Sequence, residues 1–151
     1  MTDVREDILN RLLVIVGSIP GIRWVQRNDT DIPPDVHPAA LILDGDEETD
    51  DVSDASMRQP YRPTAVRMTP QIVIVEQADQ VGADIATLRR AIIRGVLFDT
   101  ELNEQIVKTG RNGNGAIRYL GCQTDLGWMR SMHGALLAQF LFKYFLKPED
   151  L

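Results

Sequence analysis

The chain has one cysteine, Cys122, in 151 residues, which excludes an internal disulfide framework and fits a reducing compartment, where Cys122 serves as a small buried hydrophobe. It has two histidines, His37 and His133, far apart and neither at a zinc spacing from Cys122, so no metal ligand set is expected. Long apolar runs are missing. The most apolar stretch, Gly134 to Leu146, is interrupted by Gln139 and Lys143 and is too short to span a bilayer as a helix. The first residues include Thr2, Asp3, Arg5, Glu6 and Asp7 instead of a basic and then apolar signal, which predicts a cytoplasmic chain with no membrane partner. A basic excess is missing too: 16 Lys and Arg stand against 22 Asp and Glu, a formal charge of −6. A protein that grips nucleic acid through its phosphates needs a basic face, so DNA is disfavoured as a tightly held ligand.

Catalytic signatures are equally scarce. No Gly-x-Ser-x-Gly occurs, and a nucleophilic mechanism would need Cys122 or a serine beside an oriented base. Gly110, Gly113 and Gly115 are not followed by Gly-Lys-Ser/Thr, and a strand-like segment comes next, so they read as a hairpin turn and not as a phosphate loop. No catalytic residue, no cofactor and no metal site is expected.

Apolar residues make up 44% and charged residues 25%, ordinary for a chain that folds. The length fits one domain over 1–151. The acidity is local. Asp44, Asp46, Glu47, Glu48, Asp50, Asp51 and Asp54 lie within eleven residues with no base among them; taking those seven away leaves fifteen acids against sixteen bases. Their alternation invites a calcium reading, but counting from Asp44 the turn glycine falls on Thr49 and the bidentate glutamate on Ala55, so an EF-hand fails. A solvated loop is the plain reading.

Asp3 caps a helix with Glu6 three residues on, and Val4, Ile8, Leu12, Ile15 and Ile19 recur at helical spacing until Pro20 and Gly21. Ile22 to Arg27 and Ala39 to Leu43 read as short strands, and Asp44 to Pro63 as a polar, exposed excursion. Val66 to Glu76 resumes β character, with Pro70 implying an edge position or a bulge. Gly82 to Leu97 is a second helix, its stripe Val81, Ile85, Leu88, Ile92 and Val96 opposed by Arg90 and Arg94. Asp99 to Val107 adds a short helical turn, and Arg111 to Gly115 a turn before a strand at Ile117 to Gln123. In the last strand Leu136, Ala138, Phe140, Phe142 and Tyr144 mark one face, and Leu137, Gln139, Leu141 and Lys143 the other. The order predicts an α+β fold: a mixed or antiparallel sheet of four to five strands, covered on one side by two main helices, with a long polar loop between central strands.

A two-layer domain leaves the second sheet face wet, yet Leu137, Leu141 and Phe145 flank Lys143 there. Burying three such side chains is worth on the order of 5 kcal/mol before the costs of association, and a partner subunit would supply the cover.

These elements, with Leu88-Arg-Arg-Ala-Ile92, Phe98-Asp99, Ile117-Arg-Tyr-Leu-Gly121 and Ala138-Gln-Phe-Leu-Phe-Lys-Tyr144 before Pro148, resemble the tail-terminator (minor tail) proteins of long-tailed bacteriophages and gene transfer agents. The similarity covers nearly the whole chain. It implies a virion protein at the head–tail junction, made in the host cytoplasm, that closes into a homo-hexameric ring. The ring ends the tail tube, stops its polymerisation and meets a head-completion or connector protein. Leu137, Leu141 and Phe145 would then join subunits. Asp46, Glu47, Glu48, Asp50 and Asp51 would line or rim a channel through which DNA only passes, since like charge repels phosphate; solubility alone is the bland account of the same acids. Arg58, Arg62, Arg111 and Asn112 would dock the tube or neck. Two rivals stand beside this: a head–tail joining or neck ring component, and a small enzyme or ligand-binding domain, which would be monomeric or dimeric with a deep pocket of convergent polar groups.

Overall fold

The computed structural model describes residues 3–28, 32–33, 35–49, 64–76, 81–109, 116–126 and 134–146. Helix α1 spans Val4–Gly17. Asp3 caps it by accepting from the Arg5 backbone N–H at 3.0 Å, which satisfies one of the donors a helix start leaves open. Ser18 closes the other end, its N–H and hydroxyl both donating to the Val14 carbonyl. Strands β1 (Trp24–Arg27) and β2 (Ala39–Leu43) run parallel, and β2 lies antiparallel to β5 (Gln71–Glu76). Strand β3 (Glu47–Thr49) pairs with β4 (Thr64–Met68). Helices α2 (Val81–Leu97) and α3 (Thr100–Thr109) follow, then β6 (Ala116–Leu126) and β7 (Gly134–Leu146). The fold is α+β, and the described residues form seven strands in one mixed sheet and three helices.

The register reduces seven strands to five ladder positions. Met68 opposes Phe142 and Gln71 opposes Gln139, so two residues separate the pairs on each side and β4 with β5 forms one line along β7. The break between them is Thr69–Pro70. The Phe140 N–H donates to the Pro70 carbonyl at 3.2 Å, but the reciprocal bond of that pair is unavailable because proline has no N–H. Of the two expectations for Pro70, the edge position is corrected, since it lies in an interior strand, and the bulge is found. The bulge lies on the neighbouring line. Leu43 opposes Gln71 and Glu47 opposes Met68, which places Asp44, Gly45 and Asp46 against Thr69 and Pro70 alone. Gly45 has φ +71°, a Cβ there would run into the Thr69 carbonyl oxygen, and the Thr69 N–H donates to the Asp46 carbonyl at 3.0 Å. Only glycine fits.

All three helices close one core on one face of this sheet. Ile8, Leu9, Leu12 and Val16 of α1, Ile85, Leu88, Ile92 and Val96 of α2, and Leu102 and Ile106 of α3 meet Ala40, Ile42, Val66, Met68, Ile72, Ile74, Phe140, Phe142 and Tyr144. The third helix is longer than the single turn the sequence suggests. Asp99 starts it by accepting from the Leu102 N–H at 2.9 Å while binding Arg11 of α1 through both carboxylate oxygens at 2.7 and 2.9 Å.

Candidate assembly surface

In β7 burial alternates without a fault from Gly134 to Tyr144, as a strand with one face on a core requires. The buried set belongs to the helix-covered core, whereas Leu137, Leu141 and Phe145 point the other way and are half-buried. Cross-strand pairing extends their face: Val73 lies opposite Leu137, Val75 opposite Ala135 and Ala65 opposite Phe145. None of these joins the cluster that the helices close. At the β2 end the same face is shut, with Ala39 and Leu41 buried. At the β6 end Leu120 is squeezed out where the pairing shifts between Tyr119 and Gly121, and is 47% exposed. A shallow cleft of about 180 Å³ opens beside it, lined by Leu120, Gly121, Cys122, Gln123, Leu137 and Gln139.

Charge is organised at the start of α1. The Arg27 guanidinium binds both oxygens of Glu6 at 2.7 and 2.8 Å and both of Asp44 at 2.7 and 2.8 Å. Arg5 reaches Asp44 at 3.5 Å and Glu47 at 3.3 Å, and the buried Tyr144 hydroxyl donates to Glu47 at 2.9 Å. Hydrogen bonding to Arg27 holds the Asp44 and Glu6 carboxyls below their ordinary range, and burial, with Glu47 beside it, pushes the Tyr144 hydroxyl up. The front of the acidic run, which contains no base of its own and was expected as a solvated loop, is thus clamped by cations from α1 and β1. Glu48 lies 3.4 Å from Arg67, and Asp46 is exposed.

Among the predicted site residues, Leu137, Leu141 and Phe145 share one sheet face, and Asp46, Glu47 and Glu48 cluster at the bulge and β3. Asp50, Asp51, Arg58, Arg62, Arg111, Asn112 and His133 lie outside the described residues. Cys122, expected as a small buried hydrophobe, packs against the core but is only half-buried, and it accepts a hydrogen bond from Arg89 Nε at 3.3 Å. Among the described residues no group of three or more His, Cys, Asp or Glu is placed to hold a metal ion, and no helix is long and apolar enough to cross a membrane. Sequence reasoning missed the helix-layer surface. Phe98, at the end of α2, is 76% exposed and Val14 of α1 is 53% exposed; the signal was their position off the apolar stripes.

No protein-family profile matches the chain, and no curated protein does. Among solved structures, the chain is similar to one in a structure described as "Virion of native gene transfer agent (GTA) particle", with 14% identity and a TM-score of 0.44, over 94% of this chain and 92% of that one.

Proposed function

We propose that the protein is a structural virion subunit that works by assembly and not by catalysis, closing into a ring at the end of a tail tube where it stops tube growth and meets the head connector. The observation that carries the assembly reading is the sheet face of Leu137, Leu141, Phe145 and Val73, whose apolar side chains stand beside Lys143, Arg67 and Arg118 with no described helix over them. An apolar face of that extent is unusual on a lone two-layer domain and is what a subunit contact uses. The tail position is taken from the family resemblance noted above. The acids at the bulge and β3 would rim the opening, and the tube and connector proteins would be the partners.

Leu141→Asp puts a charge at the centre of the face. Light scattering on the purified protein should show the multi-subunit mass of the parent falling to that of one chain; an unchanged assembly state would refute the interface. Electron microscopy of particles lacking the protein separates terminator from joining protein. Overlong, irregular tails support the terminator; normal tails detached from heads support the joining role.

A further inference from the structure

The segment from Asp44 to Thr49 contains no hydrophobic residue, and Gly45 to Thr49 are all exposed. No apolar burial therefore offsets the entropy of holding its backbone in one conformation. It is nonetheless ordered as the bulge and β3, and what fastens it is charge. We propose that Asp44–Thr49 is an ion-held strap, which leaves the sheet as a unit while the core stays folded whenever its two carboxylate anchors, Asp44 and Glu47, lose the groups that hold them. The strap stands or falls separately from the assembly reading above.

Both anchors face one cluster. At the entry, Asp44 takes the Arg27 guanidinium on both oxygens at 2.7 and 2.8 Å and lies 3.5 Å from Arg5. Its N–H donates to the Asn28 Oδ1 at 3.1 Å. Three residues on, Glu47 lies 3.3 Å from Arg5 and accepts from the Tyr144 hydroxyl at 2.9 Å. Arg27 is steadied in turn by both oxygens of Glu6. The partners all belong to elements that close the core: Arg5 and Glu6 to α1, Arg27 to β1, Tyr144 to β7. With the Arg27 and Asp44 side chains only 22% and 18% exposed, water and salt screen this pair less than a surface one. The other ties are weaker. Glu48 and Arg67 make an exposed pair at 3.4 Å, and the short β3–β4 ladder with the Thr69 N–H to the Asp46 carbonyl is backbone alone, where each bond contributes little net against water.

Gly45 supplies the joint. Its φ of +71° is one that glycine adopts readily, and Leu43 just before it stays in the β2 ladder opposite Gln71. Among the described residues β4 lies between β7 and β3, so release takes away its neighbour on one side. A bared strand edge of that kind accepts an added strand. Asp46 and Glu48 leave with the strap.

Acid is a trigger. The charged and titratable groups facing the anchors are Asp3, Arg5 and Glu6 at the start of α1, Arg27 on β1 and Tyr144 on β7. Arginine and tyrosine keep their protons in acid, so the carboxylates decide. Hydrogen bonding to Arg27 holds Asp44 and Glu6 below their ordinary range. Such groups give stability that is complete above the unfolded value, about 4, and is lost as pH falls through the folded one. The core keeps its apolar burial through that fall, so the strap opens first.

Hydrogen exchange of the full-length protein, read by mass spectrometry at neutral pH in urea well below unfolding, tests this. Peptides covering Asp44–Thr49 are expected to exchange through an opening that urea barely promotes, at least about tenfold more populated than the one exposing α2 and β7. Arg27→Gln should raise strap exchange at least about tenfold further, the scale of hydrogen bonds to a charged group. Arg5→Gln keeps Arg27 in place and should raise it about threefold or more, which covers the case in which Arg27→Gln does not fold. Arg11→Gln breaks the Arg11–Asp99 pair, which the open strap retains, so it should speed the core and leave the strap unchanged. In acid, strap protection should vanish at a pH where circular dichroism still shows the folded helices. Strap peptides that share the rate and urea dependence of the core overturn the proposal, because the segment then leaves only on global unfolding. Local exchange indifferent to Arg27→Gln and Arg5→Gln overturns it too, as it describes a frayed edge. A strap protected until the helices melt removes the acid trigger.

Discussion

At the scale of single residues, two positions hold the sheet and its charged end together. Gly45 is the pivot of the bulge. With φ +71° and the Thr69 carbonyl where a Cβ would go, Gly45→Ala is expected to cost at least about 1–2 kcal/mol from backbone conformation alone, read as a lower urea midpoint; no change in midpoint would contradict the bulge geometry. Asp44 accepts two of the four hydrogen bonds that Arg27 donates to carboxylates. Asp44→Asn should lower stability by roughly 1–3 kcal/mol, the scale of hydrogen bonds to charged groups. Asp44, Glu6 and Asp99 are all held below the ordinary carboxylate range, chiefly by hydrogen bonds to Arg27 and Arg11. Groups with a lower pKa folded than unfolded contribute stability that is complete above about pH 4 and disappears as pH falls through the folded values. Unfolding free energy from urea titrations should therefore drop below about pH 4, and drop less in Asp44→Asn; a flat profile would show that these pairs contribute nothing. None of this clamp is visible in sequence. Arg27 and Asp44 are seventeen residues apart, and the acidic run looks unopposed until the chain folds and brings Arg5 and Arg27 to it.

At the scale of elements, what depends on local periodicity was legible and what depends on partners was not. The apolar stripe of α1, the stripe of α2 and the alternation of Leu136 to Tyr144 follow from one element meeting one core, and the structure has them where the residues put them. Strand β3 is the opposite case. Glu47 and Glu48 have poor strand composition, and with Thr49 they read as part of an excursion. They are paired because Val66, Arg67 and Met68 present an edge to them and because Arg5 and Arg67 stand beside Glu47 and Glu48. Pro70 left an edge and a bulge equally open for the same reason. Its lost donor signals a defect in the ladder, but whether that defect falls at an edge or inside the sheet depends on β7, more than sixty residues later in the chain. The core end of β7 offers a further check at this scale. Phe140 is fully buried and packs against Tyr119 with ring centroids 5.5 Å apart, so Phe140→Ala should cost about 3–5 kcal/mol. The outward Leu137→Ala should cost far less in the isolated chain. Equal losses in thermal or urea unfolding would mean that the two faces of the strand are not distinguished as described.

At the scale of the whole molecule, a helix layer covers one side of the sheet, and the other side carries Leu137, Leu141, Phe145 and Val73 in half-burial. The outward set was legible from alternation alone. That no described helix lies over it, that Ala39 and Leu41 close its β2 end, and that Val14 and Phe98 stand out from the helix layer required the three-dimensional arrangement. The central claim is that a second copy covers the outward sheet face, and hydroxyl-radical footprinting of dilute against assembled protein tests it most directly. The account predicts that Leu137, Leu141 and Phe145 lose most of their reactivity on assembly. Equal labelling of those three side chains in both states would contradict it.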